Sequence, residues 1–363
     1  MTFLEPASKF YSRFERPISS LSLLSGFIFD ALTLKRVDTL WENFWILIHL
    51  LIICVFIILI HANESGEGDE KNPSKAHFWY VNILQFFFGG ILSAFLVFYF
   101  RSADILVTWP FILLLIAAFV ANESLKRHYV RLSFQISLFF LSVYSFAIFF
   151  IPVILHQIGT YIFLLSGLVS LVFISIFVSV LFYFLKDRFT ESKRLVVFLV
   201  LGIFATVNIL YFTNLIPPIP LSLKSGGIYH SVQKNDTGNY DVTSEPRSWR
   251  DYLNIYQDFT QTPTDPVYAF SAVFSPRDLN ITIVHEWQHY DEVKKKWLTN
   301  ATIRLPVVGG RDGGFRTYSM LTNLTPGKWR VNIKTTENKV IGRLRFRIVD
   351  SNTLPALVDE IVK

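Results

Sequence analysis

Hydrophobic and polar positions follow two different rules along this 363-residue chain. Before Asn214-Leu215-Ile216-Pro217-Pro218-Ile219-Pro220, Leu, Ile, Phe and Val run together in blocks about as long as a bilayer is thick. A crossing helix needs about 17–25 mostly apolar residues, because the hydrocarbon core offers no partner to a bare backbone group. Six blocks meet that length: Phe44–Ile60, Phe78–Phe100, Ile105–Ala121, Leu132–Leu155, Ile158–Leu185 and Leu195–Ile216. Trp41, Trp45, Trp79, Tyr80 and Trp109 stand near block ends, where aromatic belts form. A seventh block, Ile18–Leu34, is short and contains Asp30, which costs roughly 3 kcal/mol at a helix centre.

Charge arbitrates on the seventh block, since short cytoplasmic loops collect Lys and Arg. With seven spans and the N-terminus inside, the cytoplasmic set is Lys9, Arg13, Arg16, Lys71, Lys75, Lys126, Arg127, Arg131, Lys186, Arg188, Lys193 and Arg194. Only Lys35, Arg36 and Arg101 face out. Six spans with the N-terminus inside reverse the bias. Six with it outside leave nine cations inside and six outside. Seven spans are therefore preferred, which puts the C-terminal region across the membrane, in the periplasm of a bacterium whose inner membrane holds the helices. Met1–Pro6 has no apolar core, so the first spans are expected to act as the insertion signal.

After residue 216 the blocks give way to alternation. Apolar positions at every second residue predict strands at Val267–Phe274, Asn280–His289, Trp297–Pro306, Phe315–Thr322, Gly327–Thr335 and Val340–Val349. Trp249–Phe259 reads as a short helix and Leu221–Gly227 as a Ser/Lys/Gly linker. The expected fold is a membrane α-helical bundle followed by a soluble all-β antiparallel sandwich. The expected divisions are a cytoplasmic segment at 1–17, a membrane domain at 18–216, a linker at 217–227 and the β domain at 228–363.

Composition agrees with this division and narrows the chemistry. Hydrophobic residues are 52% of the chain, and there are 36 Phe. The net charge of +6 is spread out, with no basic stripe suited to nucleic acid. The single cysteine, Cys54, excludes an intrachain disulfide. Asp30 admits two readings, an ion or proton site in the bundle or an interfacial residue near a helix end. Asn82, Gln85 and His49 suit bonds between helices.

His285-Glu286-Trp287-Gln288-His289 matches the zinc-peptidase pattern. That chemistry requires a helix, where His at i and i+4 lie about 6 Å apart and share a metal. Ile281-Thr282-Ile283-Val284 precedes it, a β-branched run that predicts a strand. On a strand the two His are roughly 13 Å apart. No metal or other cofactor is expected.

Val284-His285-Glu286-Trp287, Arg304-Leu305-Pro306-Val307, Phe315-Arg316-Thr317-Tyr318-Ser319, Pro326-Gly327-Lys328-Trp329-Arg330-Val331 and Ile341-Gly342-Arg343-Leu344-Arg345-Phe346 follow one another in this order. In this the chain resembles the domain of unknown function 2914 family, and Gly26–Leu34 looks like the membrane half of its longer members. The resemblance implies a membrane-attached β domain without an established activity.

Trp287 and Trp329 suggest an aromatic platform for a sugar, with His285, Arg316 and Tyr318 as polar partners. The competing reading makes both tryptophans core. Three functions follow. The first is an extracytoplasmic β domain that binds an envelope protein or a glycan while the helices hold it in the lipid bilayer. The second is a transporter or lipid-handling protein with an accessory β domain. The third is a membrane peptidase using His285, Glu286 and His289. No nucleophile–base pair or phosphate loop stands out.

Overall fold

The computed structural model describes residues 24–34, 38–65, 75–102, 104–124, 131–184, 186–246, 254–262, 265–351 and 355–362. They form two compact units, one of 1–101 with 109–215 and one of 102–108 with 216–363.

Among the described residues there are seven helices: α1 (Leu24–Thr33), α2 (Leu40–Ser65), α3 (Lys75–Arg101), α4 (Ile105–Ser124), α5 (Leu132–Leu155), α6 (Thr160–Phe184) and α7 (Lys186–Phe212). The last six are long and apolar enough to cross a membrane. In α3 and α5, 72% of the apolar window is buried, against 17–33% in the other four, so these two are the inner helices. Trp41, Trp45, Trp79 and Trp109 are exposed near helix ends, as interfacial tryptophans are. Close packing of α5, α6 and α7 depends on Gly167, where a Cβ would stand 2.9 Å from Tyr144 Oη.

The seventh block is only partly described. Its helical part, α1, has ten residues. At 1.5 Å per residue that is about 15 Å, half a bilayer core. Residues 18–23 lie outside the described residues, as do Lys9, Arg13 and Arg16. Asp30 sits in the last turn of α1 and accepts a hydrogen bond from Ser93 Oγ of α3 at 2.5 Å. The Arg101 guanidinium donates to the carbonyls of Leu34 and Ala31. These are orphan carbonyls of a helix C-terminus, and a cation there satisfies them and the helix dipole. Gln85 and Asn122 exchange side-chain-to-backbone bonds between α3 and α4, and His61 meets Gln135 between α2 and α5. His49, expected to bond between helices, bonds instead to the Trp45 carbonyl of its own helix.

Among the described residues the second unit has eleven strands: β1 (Ser222–Tyr229), β2 (Ser231–Lys234), β3 (Tyr240–Ser244), β4 (Gln257–Gln261), β5 (Val267–Phe274), β6 (Ile281–Asp291), β7 (Lys296–Val307), β8 (Phe315–Leu321), β9 (Gly327–Thr335), β10 (Val340–Asp350) and β11 (Val358–Val362). They form three sheets in the orders β1-β5-β8, β4-β10-β9-β6-β7 and β11-β3-β2. The main core draws on two of them: Ile228, Val267 and Ala269 from the first, and Phe259, Trp287, Trp329, Val331, Phe346 and Ile348 from the second.

Three expectations are corrected. Residues 222–227, expected as linker, are strand β1, paired antiparallel with β5. Their glycines signal close approach rather than flexibility, since a Cβ on Gly226 would lie 3.1 Å from Leu344 and 3.2 Å from the Phe270 carbonyl. Gln257–Phe259, expected as the end of a helix, begins β4, while 247–253 lie outside the described residues. The strands are not all antiparallel, because β4 runs parallel to β10, pairing Phe346 with Gln257 through Asp350 with Gln261.

Candidate functional site

Strands β6, β8, β9 and β10 send alternate side chains to opposite faces, and that alternation separates the candidate residues. On β6, His285 and Trp287 point inward and are fully buried. Opposite them, β5 and β8 supply Ser271, Thr317 and Ser319, also buried. His285 Nε2 meets Ser271 Oγ at 2.8 Å, and its Nδ1 meets Ser319 Oγ at 2.8 Å. Trp287 Nε1 donates to the same Ser319 Oγ at 3.0 Å, and Ser271 Oγ meets Thr317 Oγ1 at 3.2 Å. Burial holds the His285 imidazole down to about 4, so it is neutral at pH 7, with one ring nitrogen donating and the other accepting. Every polar atom named here is satisfied, and the network ties β6 to β5 and β8.

Trp329 is buried on β9, its Nε1 donating to the Thr325 carbonyl at 2.8 Å and its ring 4.9 Å from that of His289. The expected sugar platform of Trp287 and Trp329 is therefore corrected. Both indoles are enclosed by the core and present no face to solvent, because they hold inward positions of their strands. Arg316 and Tyr318 lie on the other face of β8. Arg316 donates to the Gly238 carbonyl and Asn239 Oδ1, and Tyr318 joins Tyr240 and Tyr268 in an aromatic group. The five residues expected to form one site are split between the interior and an outer surface.

The same alternation disposes of the peptidase geometry. His285-Glu286-Trp287-Gln288-His289 lies on β6, a strand, so Glu286 points away from the face that holds both histidines. Among the described residues no group of three or more His, Cys, Asp or Glu is placed to hold a metal. Glu286 instead pairs with Lys334 Nζ at 2.8 Å and accepts from Asn332 Nδ2 at 3.0 Å. Burial works against its charge, but these bonds outweigh burial and hold the carboxyl below its ordinary value.

Glu286 belongs to the outer face of the five-stranded sheet, where a cationic surface is built. Trp329, Val331, Leu344 and Phe346 face the core, so Lys328, Arg330, Asn332 and Lys334 of β9 and Arg343, Arg345 and Arg347 of β10 face out. The register sets Arg345 opposite Arg330 and Arg347 opposite Lys328. Lys334 is paired with Glu286, Lys328 with Glu292 at 3.1 Å, and Arg347 with Asp258 at 3.8 Å. Arg330, Arg343 and Arg345 have no carboxylate partner within ion-pair distance among the described residues. Arg330 Nε donates to Gln288 Oε1 at 2.7 Å, and its guanidinium lies 4.2 Å from the centre of the Trp297 ring. Arg343 Nε donates to Asn332 Oδ1 at 2.6 Å. Partial burial and the neighbouring Arg343 and Arg345 push Arg330 down to about 10, and burial and Arg345 lower Arg343. Asp104 and Glu286 act on Arg343 in the opposite sense.

Residues 280–348 match the model of a family described as "Protein of unknown function (DUF2914)". The C-terminal unit carries a DUF2914 domain. The matched stretch runs from the residue before β6 to within two residues of the end of β10, so it holds the three arginines and the His285 network apart from Ser271 of β5. No curated protein matches the chain. Solved structures similar to parts of it include a beta-glucosidase from Listeria innocua in complex with isofagomine, at 11% identity over 37% of this chain, with a TM-score of 0.23. The same enzyme in complex with gluconolactone gives 10% over 34%, with a TM-score of 0.21. The chain covers 16% of the length of each, and similarity at this level carries no argument about the DUF2914 domain. Sequence reasoning missed Arg330, Arg343 and Arg345. The signal was present in the outward positions of strands whose inward positions were already read as apolar.

Proposed function

We propose that this is an integral membrane protein, of a bacterial inner membrane, whose helices hold a β-sandwich on the periplasmic side, where it acts by binding rather than by catalysis. One observation carries the reading. Of the motif residues with catalytic potential, His285 spends both ring nitrogens on buried hydroxyls in the core, and Glu286 is tied to Lys334 on the opposite face of the sheet. The outer face of the five-stranded sheet is cationic, with three part-buried arginines that lack ion-pair partners among the described residues. The core shared by the β1-β5-β8 and five-stranded sheets supports the sandwich. The excess of Lys and Arg in alternate loops supports seven spans and the periplasmic side. Asp30 with Ser93, Gln85 with Asn122 and His61 with Gln135 bond between helices, which favours anchoring over transport.

Fusions to Lys363 test the placement. A phosphatase active only in the periplasm is expected to be active there, and a fluorescent protein that matures only in the cytoplasm is expected to stay dark. The reverse result refutes an extracytoplasmic domain.

A further inference from the structure

We propose that the outer face of the five-stranded sheet docks on anionic phospholipid headgroups of the bilayer that holds the helices, through Arg330, Arg343 and Arg345. The inference rests on reading the DUF2914 domain as a binding module, and it names the ligand. Like charges directly opposite on neighbouring strands destabilise a sheet, yet Arg345 faces Arg330 and Arg347 faces Lys328. Carboxylates within ion-pair distance account for Lys334, Lys328 and Arg347, and among the described residues leave Arg330, Arg343 and Arg345 without an ion pair, with Asp104 and Glu286 acting on Arg343 only from a distance. Guanidinium groups suit phosphate in particular, because their planar donors engage two oxygens at once.

Two features favour a headgroup over a sugar. The Trp297 ring already carries Arg330 over one face, so it is not an open stacking platform. The buried Trp287 and Trp329 offer none either. The chain also limits where the face can go. Nine residues, 213–221, separate the end of α7 from the start of β1. Fully extended they reach about 30 Å. The domain therefore works at a high effective concentration of headgroups, and weak per-residue attraction suffices. Each basic residue near an anionic surface contributes about 1 kcal/mol, which is about fivefold in binding.

The test uses the full chain in phosphatidylcholine nanodiscs, mixed with vesicles of phosphatidylcholine alone or of phosphatidylcholine and phosphatidylglycerol at 7:3, and followed by co-flotation. Binding is expected only to the anionic vesicles at about 0.1 M salt, and is expected to fade at about 0.5 M as screening shortens the field. R330Q/R343Q/R345Q is expected to bind about 100-fold more weakly and R345Q about fivefold. Lys294→Gln, in the β6–β7 turn, is expected to change nothing. Equal binding to both vesicles overturns the proposal, as does binding that survives the triple substitution or falls equally with Lys294→Gln. Arginine-dependent binding of dextran sulfate without binding of anionic vesicles also overturns it, in favour of a polyanionic glycan. Hydrogen exchange at β6 amides confirms that each variant is folded. A cytoplasmic Lys363 would refute the periplasmic placement and leave the vesicle result standing, so the two failures are distinguishable.

Discussion

The two faces of one sheet are built from the same strands to opposite ends. On the inner face of β6, β9 and β10 every polar atom of the His285 network has a partner, and Trp287, Trp329 and Phe346 fill the space around it. On the outer face, one residue along in β9 and β10, three arginines stand together without ion pairs among the described residues. The interior is optimised for stability. The exterior spends some stability on like charge, as functional surfaces do. Residues of one short motif thus have two kinds of role, and the strand's two-residue period decides which.

The sharpest way to break the comparison is to empty the inner face. Trp329→Ala or Trp287→Ala leaves a cavity and, at Trp287, removes one of the two hydrogen bonds at the Ser319 hydroxyl. A loss of about 3–5 kcal/mol is expected, enough to unfold the DUF2914 domain while the helical unit keeps its far-ultraviolet signal. Hydrogen exchange at β6 and β9 amides, measured on the full chain, checks it. A cost under about 1 kcal/mol would mean the indoles are not core.

Much of this was legible before the fold was seen. Six strands and six spans follow from apolar runs, with ends within a few residues of those observed. Strands β2, β3, β4 and β11 were not, because each is only four or five residues long and carries too few apolar positions to show a period. In β4 only Phe259 is apolar. Strand β1 hides its pairing behind Ser225, Gly226 and Gly227. For the site, alternation correctly placed His285, Trp287 and His289 on one face. Alternation with Val331 and Ile333 favours the core for Trp329, but it leaves Trp287 balanced between platform and core, and both are buried.

The next effect is a pH dependence confined to the inner face. Burial holds His285 near 4 in the folded state, against 6.5 for the free side chain, so the unfolded chain takes up the proton first. Its contribution is fully present above about pH 6.5 and is lost as pH falls toward 4. About 2.5 kcal/mol is expected to disappear between pH 7 and pH 4.5. Glu286 and Glu245, both held below their ordinary values when folded, add their own losses only below pH 4.5. His285→Gln is expected to cost about 1–3 kcal/mol at pH 7 and to flatten the profile between pH 6.5 and 4.5. An unchanged slope would place the titration elsewhere.

A smaller effect comes from Glu286, the acid of β6 on the outer face. Glu286→Gln removes the partner of Lys334 and adds a fourth cation without an ion pair to the surface. Because the pair is only partly buried, about 1 kcal/mol of stability is expected to go. Binding to anionic vesicles is expected to strengthen, by about fivefold if the freed Lys334 acts like each arginine. Stability and binding then move in opposite directions, a split that a purely structural role for this face does not produce.

Arg345→Gln should have the smallest effect on folding. Its side chain has no ion pair among the described residues, faces Arg330 across the β9–β10 pair and points away from the core. Removing it deletes a repulsion and little else, so the stability of the DUF2914 domain should stay within about 0.5 kcal/mol, on the stabilising side. The equivalent change one residue along, at Phe346, would open the core. If Arg345→Gln instead destabilises the domain by more than about 1 kcal/mol in denaturant unfolding of the full chain, the arginine is structural and the contrast between the faces collapses. If it leaves folding untouched and weakens vesicle binding, then a sheet has kept a charge that its own stability does not require, and the ligand is the reason it is there.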